Sequence, residues 1–353
     1  MVEEIIKVRI KNQQLVTPAF ERAGELVGWM GAMQAQDYAM VKWAVGLRLR
    51  QGSLATVNEA LQRGEIVRMH VMRPTWHLVA GEDIRWMLKL SGLRVKKCID
   101  LWSKGKGIDI PEGLYTRCND LFGKVLSGRR CMTKERIEEE LKRAGIPVDA
   151  ERVGRYLLRS EVEGILCSGA DEGGKPTYAL LDEWVAPAPD LSREEALAKL
   201  ALNYFRSHAP ATLKDFIWWS GLTISEAKRA VGALGNGLCR ECIGGQEFLF
   251  HQSCGESGKG DCFHFLPSYD EYLIAYKDRS AALDAVHVPK VHNKWGIFYP
   301  VLLYQGKIVG NWTKKQGKER ISFTVSFFEQ ENGVEPRLVE SAGKEFLRFC
   351  GRY

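Results

Sequence analysis

The chain has 353 residues, 45% of them hydrophobic, too many for one ordinary domain and apolar enough for two to four compact units with proper cores. A formal net charge of +6 suits a polyanionic partner but falls short of the excess of a histone-like binder, so charge alone decides nothing. No run approaches about eighteen apolar residues, and the start Met1-Val2-Glu3-Glu4 is acidic, which argues against a membrane partner or a basic leader and predicts a cytoplasmic protein.

In chain order, Thr17-Pro18 predicts the N-cap and first position of an amphipathic helix through Leu26, Val27, Met30 and Met33. Just past its end lies Gly31-Ala32-Met33-Gln34-Ala35-Gln36-Asp37-Tyr38. Gln34 and Gln36 cannot share a helix face, because i and i+2 diverge there, but in an extended segment they converge. The spacing alone is equally that of two solvated amides on a loop, and Asp37 alone is equally a cap for the segment after it. Ser53 caps a helix through Val57, Ala60 and Leu61, and residues 66–70 and 75–79 alternate as two strands, the outline of a helix-turn-helix with a hairpin wing.

Residues 82–125 read as helical. Thr133 starts a helix ended by Gly145, a second runs from about Asp149, and two strands flank the turn Asp171-Glu172-Gly173-Gly174; helix, turn, helix, hairpin is a winged helix. Pro187-Ala188-Pro189 is a linker. Beyond it, Ser192 with Glu195 and Thr223 with Glu226 form capping boxes, Thr212 caps a short helix between them, and apolar stretches near Cys242 and Phe248 supply a third wing. From about residue 290 strands dominate, closed by a helix from about Pro336 to Phe349. The expected fold is therefore α+β: three tandem winged-helix modules with a C-terminal antiparallel sheet, divided as 1–130, 131–187, 188–289 and 290–353.

The nine scattered cysteines predict reduced thiols. Cys239 and Cys242 have half of a zinc spacing, but Cys254, Cys262 and His264 do not complete it, so no metal is assigned. The adjacent carboxylates Asp270 and Glu271 diverge on any regular element and read as structural, with Asp270 holding backbone amides or an arginine such as Arg279. His70, Arg73, Trp76 and His77 on the first hairpin are candidates for DNA contact, the competing reading for each histidine being a buried, hydrogen-bonded core group. The basic clusters Arg94 to Lys97, Lys104 to Lys106, Arg129-Arg130 and Lys314-Lys315 to Arg320 suit a grip on phosphates that does not read sequence. Signatures for nucleotide hydrolysis, dinucleotide redox, serine hydrolase and zincin chemistry are absent from the sequence.

The two glutamines around an apolar residue, Asp37-Tyr38, Trp43, Arg48, the block Met72 to Val79, Pro210 to Asp215, Trp219 to Leu222, Leu266 to Tyr272 and Gly306 to Trp312 stand in the order seen in one family. Over nearly its whole length the chain resembles the winged-helix DNA glycosylases of the AlkZ/YcaQ type. The resemblance implies catalytic positions at Gln34 and Gln36 at the centre of a concave basic channel; the candidate DNA contacts are Asp37, Tyr38, His70, Arg73, Trp76, His77, Lys314, Lys315 and Arg320, and no cofactor is expected. The resemblance also implies a monomeric, nucleoid-associated, monofunctional enzyme without lyase activity, acting on double-stranded DNA with alkylated or crosslinked purines. Glutamine at the second position is similar to the AlkZ branch; the aspartate of the YcaQ branch goes with wider crosslink tolerance. The rival from another class is a winged-helix transcriptional regulator, which usually places one module in each protomer of a dimer.

Overall fold

The computed structural model describes residues 2–254, 262–317, 321–331 and 333–352, and these form two compact units, 1–57 with 197–353, and 58–196. The sequence-based divisions at 130, 187 and 289 are not the boundaries of these units.

The first helix, α1, spans Val2–Asn12. The second, α2, is shorter than expected, Ala23–Met30, with Arg22 as its extended N-cap. Thr17 sits at φ +47°, outside the extended region an N-cap needs, and the Gln14 side chain accepts the Ala19 N–H (2.8 Å), which turns the chain before a helix can start. The helix begins where Ala23, Leu26, Val27 and Met30 supply a buried stripe at i, i+3, i+4, i+7. Gly31 ends it at φ +77°, and a Cβ there would stand 3.0 Å from Asn203 Cβ and 3.3 Å from Trp219. Strand β1 is Met33–Gln34, α3 is Tyr38–Gly46 and α4 is Leu54–Gln62, the last with Ser53 Oγ accepting the Thr56 N–H.

In the unit 58–196, β2 (Ile66–His70) and β3 (Trp76–Ala80) form the expected hairpin, with Met69 opposite His77 and His70 opposite Trp76. Helices α5 (Gly81–Gly105) and α6 (Glu112–Val125) follow, then β4 (Met132–Thr133), α7 (Lys134–Arg143), α8 (Ala150–Val162), β5 (Leu166–Ser168), β6 (Thr177–Leu180) and the short α9 (Leu181–Trp184). Thr133 and Asp149 cap α7 and α8 as their sequence positions predict. Tyr115, Cys118 and Phe122 of α6 share one core with Ile137 and Leu141 of α7 and Val153 and Tyr156 of α8. The second helix-helix-hairpin element thus leans on a helix that precedes the expected division at 130.

The other unit resumes along α10 (Arg193–Ser207). Capping boxes fix α11 (Leu213–Ser220, Thr212 with Asp215) and α12 (Ile224–Gly232, Thr223 with Glu226), and β7 (Leu238–Ile243) pairs with β8 (Gln246–His251). Strand β9 (Phe263–Leu266), which the sequence reading missed, is followed by α13 (Glu271–Ile274), α14 (Val288–Val291), β10 (Val301–Tyr304), β11 (Lys307–Gln316), β12 (Ile321–Phe327) and α15 (Pro336–Phe349). The sheet is antiparallel in the order β12-β11-β10-β9. Trp43 of α3 packs on Phe346 and Phe349 of α15 (centroids 5.0 and 5.2 Å) and donates its Nε1–H to the Phe265 carbonyl of β9 (2.7 Å). Strand β9 and helix α15 therefore hold α3, the helix that follows the glutamine segment.

Candidate functional site

Gln34 closes β1 and is 5% exposed; Gln36, past the strand, is half-buried. The main chain carries the strongest constraint: the Gln34 N–H donates to Glu271 Oε1 at 2.5 Å, across 237 residues of sequence. Glu271 is 1% exposed, and its other oxygen accepts the Trp219 Nε1–H at 3.2 Å. His208 Nε2 lies 3.4 Å from the same oxygen without forming a hydrogen bond, while its Nδ1 meets Ser207 Oγ at 2.8 Å. Burial holds the His208 imidazole below its free value, against the pull of Glu271. The acid binds the backbone of the two-glutamine segment and leaves the Gln34 side chain out of that bond.

The next residue back, Asp270, anchors the shelf. Its carboxylate takes Arg48 in a two-pronged pair at 2.7 and 2.9 Å, both side chains fully buried. All five Arg48 N–H groups find acceptors, the other three being the Gln13 and Ala44 carbonyls and Gln13 Oε1. Asp270 also caps α13 through the Tyr272 N–H (2.9 Å). The structural role expected of Asp270 stands, but its arginine is Arg48; Arg279 instead donates to the Leu273 carbonyl and lies by the rings of Trp218 and Phe298. A pairing across 222 residues leaves no local trace in sequence.

Asp37 is half-buried and caps α3, accepting the Met40 N–H (3.1 Å) and the Ser268 hydroxyl (3.0 Å). Tyr38 lies half-buried with Lys42 Nζ 4.2 Å over its ring. Ser268 and Glu271 thus pin both ends of the segment 34–37. Lys314 and Lys315 stand on β11, Lys314 with its Nζ 5.0 Å from the Phe346 ring and Lys315 exposed; Arg320 lies outside the described residues.

His70, Arg73, Trp76 and His77 belong to the unit 58–196. Both histidines are buried, so for them the structure shows the core reading in place of phosphate contact. His70 is gripped by Glu161, which takes its N–H at 2.9 Å and meets Nδ1 at 2.5 Å. His77 donates from Nδ1 to the Thr75 carbonyl (3.0 Å) and faces Arg73 at 3.3 Å; burial, then Arg73, keep it well below the free value and hence neutral. Trp76, half-buried, lies between His70 (4.3 Å) and the Arg68 guanidinium (4.2 Å). Among the other basic clusters, Lys96 pairs with Glu163 and Lys106 with Glu151, so part of that charge is neutralised on the protein. Among the described residues, no group of three or more His, Cys, Asp or Glu side chains is placed to hold a metal ion, and no helix is long and apolar enough to cross a membrane.

The sequence reading missed the seat itself: Glu271, Trp219 and His208 behind Gln34. Trp219 and Glu271 each lie in a block singled out by resemblance, but no spacing rule joins them.

Comparison with known proteins finds likenesses to a family model and to solved structures. A family model described as DNA glycosylase AlkZ-like covers residues 27–349. A solved structure, the Streptomyces sahachiroi DNA glycosylase AlkZ, superimposes with a TM-score of 0.79 at 20% identity, covering 99% of this chain and 96% of that one. No curated protein matches.

Proposed function

The chain belongs to the AlkZ-like DNA glycosylase family, and we propose that it hydrolyses the N-glycosidic bond of purines made cationic by alkylation, including those held in interstrand crosslinks. The observation that carries this reading is the seat of the two-glutamine segment, fixed through the Gln34 main chain by a buried carboxylate. An N7-alkylguanine or N3-alkyladenine already bears positive charge, so the departing base needs no proton. What remains is to steady an electron-poor sugar and aim a water at C1′. Amide oxygens of Gln34 and Gln36 do this as fixed dipoles, and a seat that prevents their reorganisation is what makes such dipoles effective. A sugar approaching from solvent meets the half-buried Gln36 first, with the more enclosed Gln34 behind it.

Neutral amides remove protons poorly, which confines the enzyme to bonds that are labile already. No lysine is assigned as a Schiff-base nucleophile, so base release proceeds without strand cleavage. In this reading the chain acts as a monomer on duplex DNA, with Tyr38, Arg73, Trp76, Lys314 and Lys315 at the DNA and Asp37 shaping the segment beside it. The helix and hairpin at 54–80, and the helix pairs followed by hairpins at 134–180 and 213–251, serve as three winged helices.

The test is a duplex carrying N7-methylguanine, incubated and then heated in alkali. Strand breaks should depend on alkali and disappear in Gln34→Ala and Gln36→Ala while affinity is kept. A wild-type chain that binds the duplex but makes no abasic sites would turn the assignment towards a regulator. The same incubation across monoadducts and crosslinks reads the substrate range.

A further inference from the structure

Residues 292–299 form a tight loop that supports itself. His292 bridges Phe298, the Asn293 N–H meets the Ile297 carbonyl at 3.0 Å, and Asn293 Oδ1 accepts the Trp295 and Ile297 N–H groups at 2.9 and 3.1 Å. Gly296, at φ +77°, allows the turn. At the tip Trp295 is 78% exposed, the most exposed large apolar side chain among the described residues. An indole held in water on a braced loop presents a broad, rigid π-face at little conformational cost to a ligand that can stack on it. Its ring stacks on no aromatic neighbour among the described residues, and Lys294 Nζ lies 5.2 Å from it, with Lys290 close by in sequence.

The loop is continuous with the glutamine seat. Phe298 at its base packs on Tyr269 (6.2 Å), and Tyr269 is flanked by Ser268, bonded to Asp37, and by the stretch ending in Glu271, bonded to Gln34. We infer that Trp295 is a stacking platform for a nucleobase whose face has been opened to solvent in DNA bound at the glutamine segment, with Lys290 and Lys294 meeting the neighbouring phosphates. This rests on the DNA glycosylase reading above. A single rigid indole beside cations matches a π-face joined to phosphates. In an intact duplex both faces of each base are covered, so the platform selects DNA that has a base out of the stack.

The test uses the full chain with two duplexes, one fully paired and one with a single unpaired nucleotide. Trp295→Ala should weaken binding to the second about tenfold and to the first by no more than about twofold, and Trp295→Phe should recover most of the loss. The double variant Lys290→Ala/Lys294→Ala should weaken both and lower the salt dependence by about 0.9 for each phosphate no longer neutralised. On an N7-methylguanine duplex, Trp295→Ala should raise the half-saturating protein concentration about tenfold and leave the single-turnover rate at saturation within about threefold. Unchanged discrimination between the duplexes and unchanged half-saturation in Trp295→Ala would overturn the platform, and would assign the indole to a protein partner if one is then found to bind there. If wild type releases no base yet shows Trp295-dependent discrimination, the catalytic reading falls and the platform stands.

Discussion

The glutamine segment of one unit and the β2–β3 hairpin of the other each rest on a buried glutamate, and the two acids act differently. Glu271 takes the main-chain N–H of Gln34. Glu161 takes the main-chain N–H of His70 and the imidazole as well. Glu271 also takes the Trp219 Nε1–H and so ties the main chain of the glutamine segment to α11, whereas Glu161 binds His70 through both its main chain and its ring. This separates Gln34 from His70, although both looked like site residues in the sequence.

The largest effect that sharpens this contrast comes from beneath the glutamine seat. Asp270→Ala leaves the Arg48 guanidinium buried without its carboxylate, and should cost about 3–5 kcal/mol of stability in denaturant unfolding. A loss under about 1 kcal/mol would mean that the shelf is not held by this pair. Next, Gln36→Ala should lower single-turnover base release about a hundred- to a thousandfold with an unchanged melting temperature. His70→Ala should do the reverse, melting lower while base release, assayed well below the melt, stays within about threefold. A His70→Ala variant as slow as Gln36→Ala would break the comparison outright.

Acid pH probes the buried histidines. Burial takes His264 from 6.5 to about 4, partly offset by its 2.7 Å contact with the Leu15 carbonyl, and His77 is lowered too. The unfolded chain then binds more protons than the folded one between those values, so stability is full above pH 6.5 and falls as the pH drops towards about 4. For His264 the loss is ~3 kcal/mol over that window, and His264→Gln should flatten the pH dependence of the unfolding midpoint. The smallest expected effect is at the surface: Lys315→Ala should weaken DNA binding only slightly and lower its salt slope by about 0.9, without changing the rate at saturation.

Much of the local architecture was legible. Thr133, Asp149, Ser192, Thr212 and Thr223 each start the helix their side chains predict, because a cap needs only partners two or three residues away. The N-terminus of α2 was misread because Gln14, a side chain outside the motif, turns the chain first. Strand β9 was missed because its register comes from β10, nearly forty residues on. The position of Gln34 and Gln36 past a helix was readable; what holds them was not, since both anchoring acids lie more than two hundred residues away.

That separation has a consequence for synthesis. The ribosome delivers both glutamines within about the first tenth of the chain, yet the carboxylate that seats them arrives only after three quarters of it has been made. The segment 58–196 emerges in one piece, whereas the unit that holds Gln34 must wait for its second half. A product truncated before residue 271 would carry the glutamine pair without the carboxylate that seats its main chain.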